Sequence, residues 1–391
     1  MPIIHRPHDA AGFRLVEILR LVRRLMSGRS GLIGWQRHRV VLVCLLLAGC
    51  HTMAPEAVKL PSLAQAYQGR VRIGAAIEPW QLDRSESALI ATQFNSIVAE
   101  NVMKPSRLQP REGHFDFAEA DRLVDFALQH GMDIRGHTLL WYKRTPAWFW
   151  QTADGKPASK AQVLARLRQH IEQVIGRYRG KIYAWDVVNE AIDPNQPNCL
   201  RNDAWYQVVG PEYLDAAFRY AHAADPAARL FLNDYSTTQP RKRLCLVQIV
   251  SGMLKRGVPL HGIGHQMHIS LDEPGLPEID ETLSTFSRLG LENQITELDI
   301  SLYPRHAYFL PDRQDVLEAR QAARYQALMT LVLAHPEVSA VTWWGVSDGH
   351  TWLNEYENWW RRDRPLLFDA QGQAKASYWA VLRAAREMSN P

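Results

Sequence analysis

Short apolar runs rich in β-branched and aromatic residues recur along this chain, separated by stretches in which apolar residues return every three or four positions. The short runs fall at 71–76, 94–99, 133–137, 182–189, 229–233, 262–267, 293–299 and 340–345. They are too short for stand-alone helices and read as buried strands. Helical periodicity lies between them, for example at 117–130, 160–178, 213–224 and 313–334, with Asp116, Ser159 and Asp312 in capping positions for three of these. Strands alternating with helices in this way predict an α/β fold, a single (β/α)8 barrel with insertions.

Polar residues interrupt the pattern at one kind of place. Glu100, His137, Glu190, Asn233, Gln266, Glu297 and Trp344 all close their strands, and the C-terminal strand ends are where such barrels assemble chemistry. A carboxylate at the mouth of a buried strand is costly unless something uses it. Glu190 and Glu297 both end apolar runs and lie 107 residues apart. Two carboxyl groups delivered to one site from different strands are what glycoside hydrolysis requires.

The strings around these residues resemble glycoside hydrolase family 10, the endo-β-1,4-xylanases. Trp185-Asp186-Val187-Val188-Asn189-Glu190 and Thr296-Glu297-Leu298-Asp299 resemble the acid/base and nucleophile strands of that family. The stretch from Phe94 to Lys104 resembles its second strand and loop, and Arg135 to Trp141 its third strand. Leu232-Asn233-Asp234-Tyr235 resembles its fifth, Gly262 to His268 its sixth, and Trp344-Gly345-Val346-Ser347-Asp348 with Trp352 its eighth. The matches run in order from Val71 to Asp369, with barrel spacing.

This resemblance implies a retaining endo-β-1,4-xylanase acting on internal bonds of xylan or xylo-oligosaccharides, with no cofactor. Glu190 is then the general acid/base and Glu297 the nucleophile. His268 is expected to hydrogen-bond Glu297, Asp299 to hold His268 in one tautomer, and Asn189 to bind the 2-hydroxyl of the sugar being cleaved. Glu100, Asn101, Lys104 and His137 are expected to hold hydroxyls on the non-reducing side, with Gln266 also in the binding set. Trp141, Trp344 and Trp352 would wall the cleft against pyranose faces, whereas Trp343, Trp359 and Trp360 read as core or surface.

The chain departs from the family beside this site. After Trp141 the family usually has His and, two positions further on, Gln; this chain has Tyr142 and Arg144. After Trp352 the family commonly has Arg, and here Leu353 stands. The neighbouring sugar site on the non-reducing side is therefore rebuilt. Arg144 joins the expected binding set as a planar cation suited to a carboxylate; the alternative is an internal salt bridge with an acid such as Glu100. Two other functional readings follow: a related retaining β-glycanase with another sugar preference, and a non-catalytic glycan-binding envelope protein. The presence of both glutamates argues against the second.

Charge changes the picture of the chain's head. The net charge is +4, but residues 1–49 carry eight Arg against two acidic side chains. The remaining 37 basic and 39 acidic side chains leave residues 50–391 at −2, with no electrostatic footprint for nucleic acid. Arg37-His38-Arg39, the apolar run from Val40 to Ala48, and Gly49-Cys50 compose a signal peptide too short to span a bilayer. Leu47-Ala48-Gly49-Cys50 resembles a bacterial lipobox, in which Cys50 is lipidated; ordinary secretion is the alternative. A start at Met26 would leave a leader of conventional length. The expected organisation is a leader over 1–49, a tether over 50–62 and a catalytic domain over 63–391. It would act as a monomer anchored to a bacterial membrane, facing the periplasm or the cell surface.

With Cys44 in the leader and Cys50 at the lipobox, Cys199 and Cys245 remain, and they either bridge or stay as thiols. His137, His265, His268, Asp299 and His350 could suggest a metal. The chain has neither an early His-x-His nor a helical His-Glu-x-x-His, and His265 and His268 stand an odd number of residues apart on a strand, on opposite faces. No catalytic metal is expected.

Overall fold

The computed structural model describes residues 60–304, 309, 312–355 and 362–387. The leader and lipobox, with Met26, Cys44 and Cys50, lie outside the described residues, as do Trp359 and Trp360. Nine strands occur among the described residues: β1 (Arg72–Ile77), β2 (Ser96–Ala99), β3 (Asp133–Trp141), β4 (Ala184–Asn189), β5 (Arg229–Asp234), β6 (Gly262–His265), β7 (His268–Ser270), β8 (Glu292–Ser301) and β9 (Val338–Trp343). All pair in parallel. β9 pairs with β1, with Ala340 beside Arg72, and β6 pairs directly with β8, with Gly262 beside Glu292. Eight strands thus close a barrel, and β7 is a short extra strand against the C-terminal part of β8.

Helices alternate with the barrel strands: α1 (Glu86–Gln93), α2 (Ala118–Gln129), α3 (Lys160–Tyr178), α4 (Glu212–Ala224), α5 (Pro240–Lys255), α6 (Leu276–Ser287), α7 (Gln314–Ala334) and α8 (Ala376–Glu387). Helix α3 shows why they pack where they do. Val163, Leu167, Ile171, Val174 and Ile175 recur at helical spacing and are buried, each contributing roughly 1.5–3 kcal/mol by leaving water. Ser159 caps α3 in a reciprocal capping box with Gln162. Asp116 and Asp312 sit one residue outside the caps of α2 and α7, which fall at Phe117 and Arg313. Their carboxylates accept from the Ala118 and Arg313 N–H groups, in the turns that lead into the helices.

Three differences from the sequence pattern bear on the barrel's mouth. The run at 262–267 ends as a strand at His265, because Met267 has φ 60° and turns the chain into β7. Strand β3 continues to Trp141, with a register shift against β4 between His137 and Leu140. His137 therefore lies within its strand rather than at its end. The expected tether is already engaged at its last residues: Tyr378 donates to the Pro61 carbonyl, and Ser62 caps the turn Leu63–Ala66.

Close packing inside the barrel leaves no room for a Cβ at two glycines. At Gly136 a Cβ would fall 2.1 Å from the Trp185 ring, and at Gly264 it would fall 2.2 Å from Asn233 Oδ1. These positions let Trp185 and Asn233 take the space they need.

Cys199 and Cys245 form a disulfide with Cα atoms 5.3 Å apart, tying the loop after β4 to α5. A crosslink over a loop of this size stabilises by about 2–4 kcal/mol. Replacing both cysteines by Ser should lower Tm by several degrees in scanning calorimetry, and reductant should lower the wild-type Tm while leaving the variant unchanged.

Candidate active site

Glu190 is the first residue beyond β4, and its φ of 59° places it in the left-handed region. That conformation costs a non-glycine residue roughly 1–2 kcal/mol. Two hydrogen bonds hold it there: the Glu190 N–H donates to the Asn233 carbonyl, and its carbonyl accepts from Arg201 Nε, both at 2.9 Å. Glu297 lies inside β8, its N–H donating to the Gln266 carbonyl at 3.0 Å. Asn233 on β5 joins the two. Its side chain donates to Glu297 Oε1 at 2.8 Å and to Asn189 Oδ1 at 2.9 Å, and its Oδ1 accepts from Thr296 at 2.7 Å. Both carboxyl groups are buried at the floor of one open cleft of about 1400 Å³.

Their surroundings differ. Burial alone would raise the Glu297 carboxyl, but the hydrogen bond and positive field of His268 bring it below its ordinary value. His268 Nε2 lies 3.2 Å from Glu297 Oε2, and Nδ1 lies 2.7 Å from Asp299 Oδ2. Burial disfavours the imidazolium, yet the two carboxylates outweigh it and push His268 up to about 10. Trp352 Nε1 donates to the same Asp299 oxygen at 2.8 Å. Glu190, by contrast, is thinly supplied with donors. Gln266 Nε2 and Asn189 Nδ2 approach its Oε1 at 3.3 and 3.5 Å. Its Oε2 has no hydrogen bond, and Lys143 Nζ stands 3.6 Å away as its ion partner. One carboxyl is thus held as an anion by close donors, while the other has a buried oxygen with no hydrogen bond and only the longer contact to Lys143. This contrast suits a nucleophile and a proton carrier.

Every side chain expected from the sequence to bind or react lines this cleft. Lys104 is buried, its Nζ donating to Asn101 Oδ1 at 2.8 Å and lying 5.1 Å from the Trp141 ring centroid and 5.9 Å from that of Trp344. Burial lowers its pKa, partly offset by Glu297 and Glu100. Asn101 donates to Glu78 Oε1 at 2.7 Å, and Glu100 Oε2 lies 3.0 Å from His350 Nε2. The alternative pairing of Arg144 with Glu100 is not formed, since His350 and Asn101 occupy Glu100. Trp343 is buried in the core. His265 faces away from His268, between Thr237 and Asn293 at 2.8 Å each, and burial pushes it down to about 4.

Several residues of the site were not singled out by the sequence. Asp186 holds His137 Nδ1 at 2.9 Å and is itself gripped by Arg135; a charged residue inside an otherwise apolar strand was the available signal. Arg201, which bonds the Glu190 carbonyl and the Tyr235 hydroxyl, stands in an irregular loop that carries no periodicity. Lys143 reads as a surface lysine, and only the turn after β3 brings it to Glu190.

The raised His268 makes a signed prediction. Its contribution to stability is complete below about pH 6.5 and is lost as pH rises toward about 10. His268→Gln should therefore flatten the stability profile across that window in urea titrations. With the cation gone, the Glu297 carboxyl should titrate at higher pH when followed by carbon NMR.

Comparison with known proteins places this geometry. Residues 62–384 match the sequence profile of Glycosyl hydrolase family 10. The chain is 43% identical over 336 residues to an endo-1,4-beta-xylanase A of Caldicellulosiruptor sp. (strain Rt8B.4), covering 83% of this chain and 47% of that protein, about half its length. It is 40% identical over 331 residues to the endo-1,4-beta-xylanase B of Paenibacillus barcinonensis, covering 83% of this chain and 98% of that one. Among solved structures, xylanase B from Clostridium stercorarium F9 superposes with a TM-score of 0.80 at 41% identity, covering 83% of this chain and 99% of that chain. With its barrel, its paired glutamates and this match over most of its length, the chain belongs to glycosyl hydrolase family 10.

Proposed function

We propose that this chain is a retaining endo-β-1,4-xylanase that cleaves internal bonds of xylan or xylo-oligosaccharides by double displacement. The observation that carries this reading is the contrast between the two glutamates in one cleft: Glu297 held ionised by His268 and Asn233, and Glu190 with an oxygen that makes no hydrogen bond. The names of the relatives support the polymer.

In the first step a Glu297 oxygen attacks the anomeric carbon and the glycosidic bond breaks, while Glu190 gives its proton to the departing oxygen. The ester that forms removes the negative charge of Glu297 and favours ionised Glu190. In the second step Glu190 takes a proton from water, whose oxygen bonds to the anomeric carbon as the ester breaks, returning both carboxyls to their starting states. Asn189, anchored by Asn233, is set to hold the 2-hydroxyl, a contact that strengthens as the ring flattens. Lys104, Asn101, Glu100, His137 and Gln266 offer hydroxyl partners, and Trp141, Trp344 and Trp352 offer apolar walls. A related retaining β-glycanase is the second reading, favoured by Tyr142, Arg144 and Leu353 beside the reacting centre.

Glu297→Ala should abolish turnover on every substrate. Glu190→Ala should lose xylan hydrolysis yet keep the first step on aryl glycosides whose leaving groups need little protonation. Proton NMR of the first-formed product should show retained anomeric configuration; equal losses in the two variants, or an inverted product, would rule the assignment out. Binding of xylan by wild type without release of reducing sugar would instead establish a glycan-binding protein.

For location, the leader pattern and the Leu47-Ala48-Gly49-Cys50 string support lipidation of Cys50 and a short tether to a barrel in the cell envelope. Each acyl chain adds about 0.8 kcal/mol per buried CH₂, so more than one chain makes a stable anchor. Wild-type protein should sediment with membranes, and Cys50→Ser should release it or stall its processing. Soluble wild-type protein with an unmodified Cys50 would leave ordinary secretion.

A further inference from the structure

The turn after β3 is fixed at both ends and carries two cations into the cleft. Thr145 donates to the Trp141 carbonyl at 2.8 Å, and Trp205 Nε1 donates to Thr145 at 3.0 Å. The Tyr142 ring is covered by the Arg201 guanidinium at 4.5 Å. Lys143 and Arg144 therefore project from an anchored turn. Lys143 leans on Glu190, but Arg144 makes no hydrogen bond or ion pair among the described residues.

An unpaired guanidinium at this place has neighbours of its own sign. Lys104 lies close enough for Arg144 to depress its pKa, though burial is the larger cause. Glu100, the nearby acid, is already taken by His350. At the far side of the barrel's mouth, beyond β7, the carboxylates of Glu273 and Glu278 line the cleft instead. The groove is thus positive beside the loops of β2 and β3 and negative across from them. A neutral xylan backbone gains nothing from this polarity, whereas an anion would relieve the repulsion between Arg144 and Lys104. Arginine's planar fork matches a carboxylate through two parallel hydrogen bonds.

We propose that Arg144, flanked by Lys143, is a specificity-determining residue that receives the carboxylate of a uronic acid substituent carried by the xylan backbone on the non-reducing side of the cleaved bond. This rests on the xylanase reading above and adds the class of chain it favours, an acidic glucuronoxylan. The uronate then remains on the fragment that gains the new reducing end. A charge-assisted pair of this kind corresponds to about a tenfold to hundredfold difference in kcat/KM.

The test compares a linear xylo-oligosaccharide with one of equal length bearing a single 2-linked glucuronate. The ratio of kcat/KM, decorated over linear, should fall about tenfold or more in Arg144→Gln and by less in Arg144→Lys, which keeps charge without the fork. Added salt should lower wild-type kcat/KM on the decorated substrate more than on the linear one. Mass spectrometry should place the uronate on the fragment with the new reducing end. Calorimetric binding of both oligosaccharides in a Glu297→Ala background reads the same preference without turnover, so loss of hydrolysis and loss of carboxylate recognition separate. An unchanged ratio in Arg144→Gln, in kinetics and in binding, overturns the proposal.

Discussion

Beneath the active site lies a buried ion pair on which the geometry above it depends. Arg135 on β3 and Asp186 on β4 are both almost wholly buried. Arg135 grips both Asp186 oxygens and also reaches Gln294 on β8, while its guanidinium packs 4.5 Å from the Phe231 ring on β5. Four strands are thereby tied across the barrel interior. Burial opposes both charges, yet Arg135 stays above its ordinary pKa and Asp186 below its own, because each is the other's main partner. Such a pair adds little net stability compared with apolar packing, but breaking it by removing one partner costs roughly 3–5 kcal/mol. Its value here is positional. Asp186 Oδ2 holds His137 Nδ1, and the His137 ring lines the cleft, T-shaped against Trp344 with centroids 5.5 Å apart.

The next layer up converts this frame into a chemical difference. Glu190 and Glu297 share Asn233, but through different parts of it: a backbone carbonyl for one and a side-chain amide for the other. Glu297 thereby gains a donor on its carboxylate, while Glu190 gains only a fixed backbone in an unfavourable conformation. His268 adds a positive charge to the first and none directly to the second. Two identical side chains thereby come to differ in their hydrogen bonds although both are buried.

Much of this was legible in the sequence because barrels write their strands as apolar runs and their sites as polar residues at run ends. Glu190, Gln266 and Trp344 obey that rule, each standing just beyond β4, β6 or β9. His137 and Glu297 do not, since β3 runs on to Trp141 with a register shift that periodicity cannot show and β8 runs on to Ser301. Arg135 and Asp186 were visible as letters but not as a pair, because a contact between strands depends on which inward positions share a layer. Arg144 was visible as a departure, and its lack of a partner became evident only when Glu100 was found with His350. Loops such as that carrying Arg201 have no period to read, and their placement is decided by the barrel they cross.

The order of strands around the barrel also sets a time. Glu190 directly follows β4 and Glu297 lies on β8, and β8 finds its place only by pairing with β6 on one side and β9 on the other. Contacts so distant along the chain form late in folding. A chain emerging from its N-terminus can therefore carry a finished Glu190 loop while Glu297 is still unsynthesised or undocked. A form in which β8 has not yet docked between β6 and β9 therefore lacks the second carboxyl of the site.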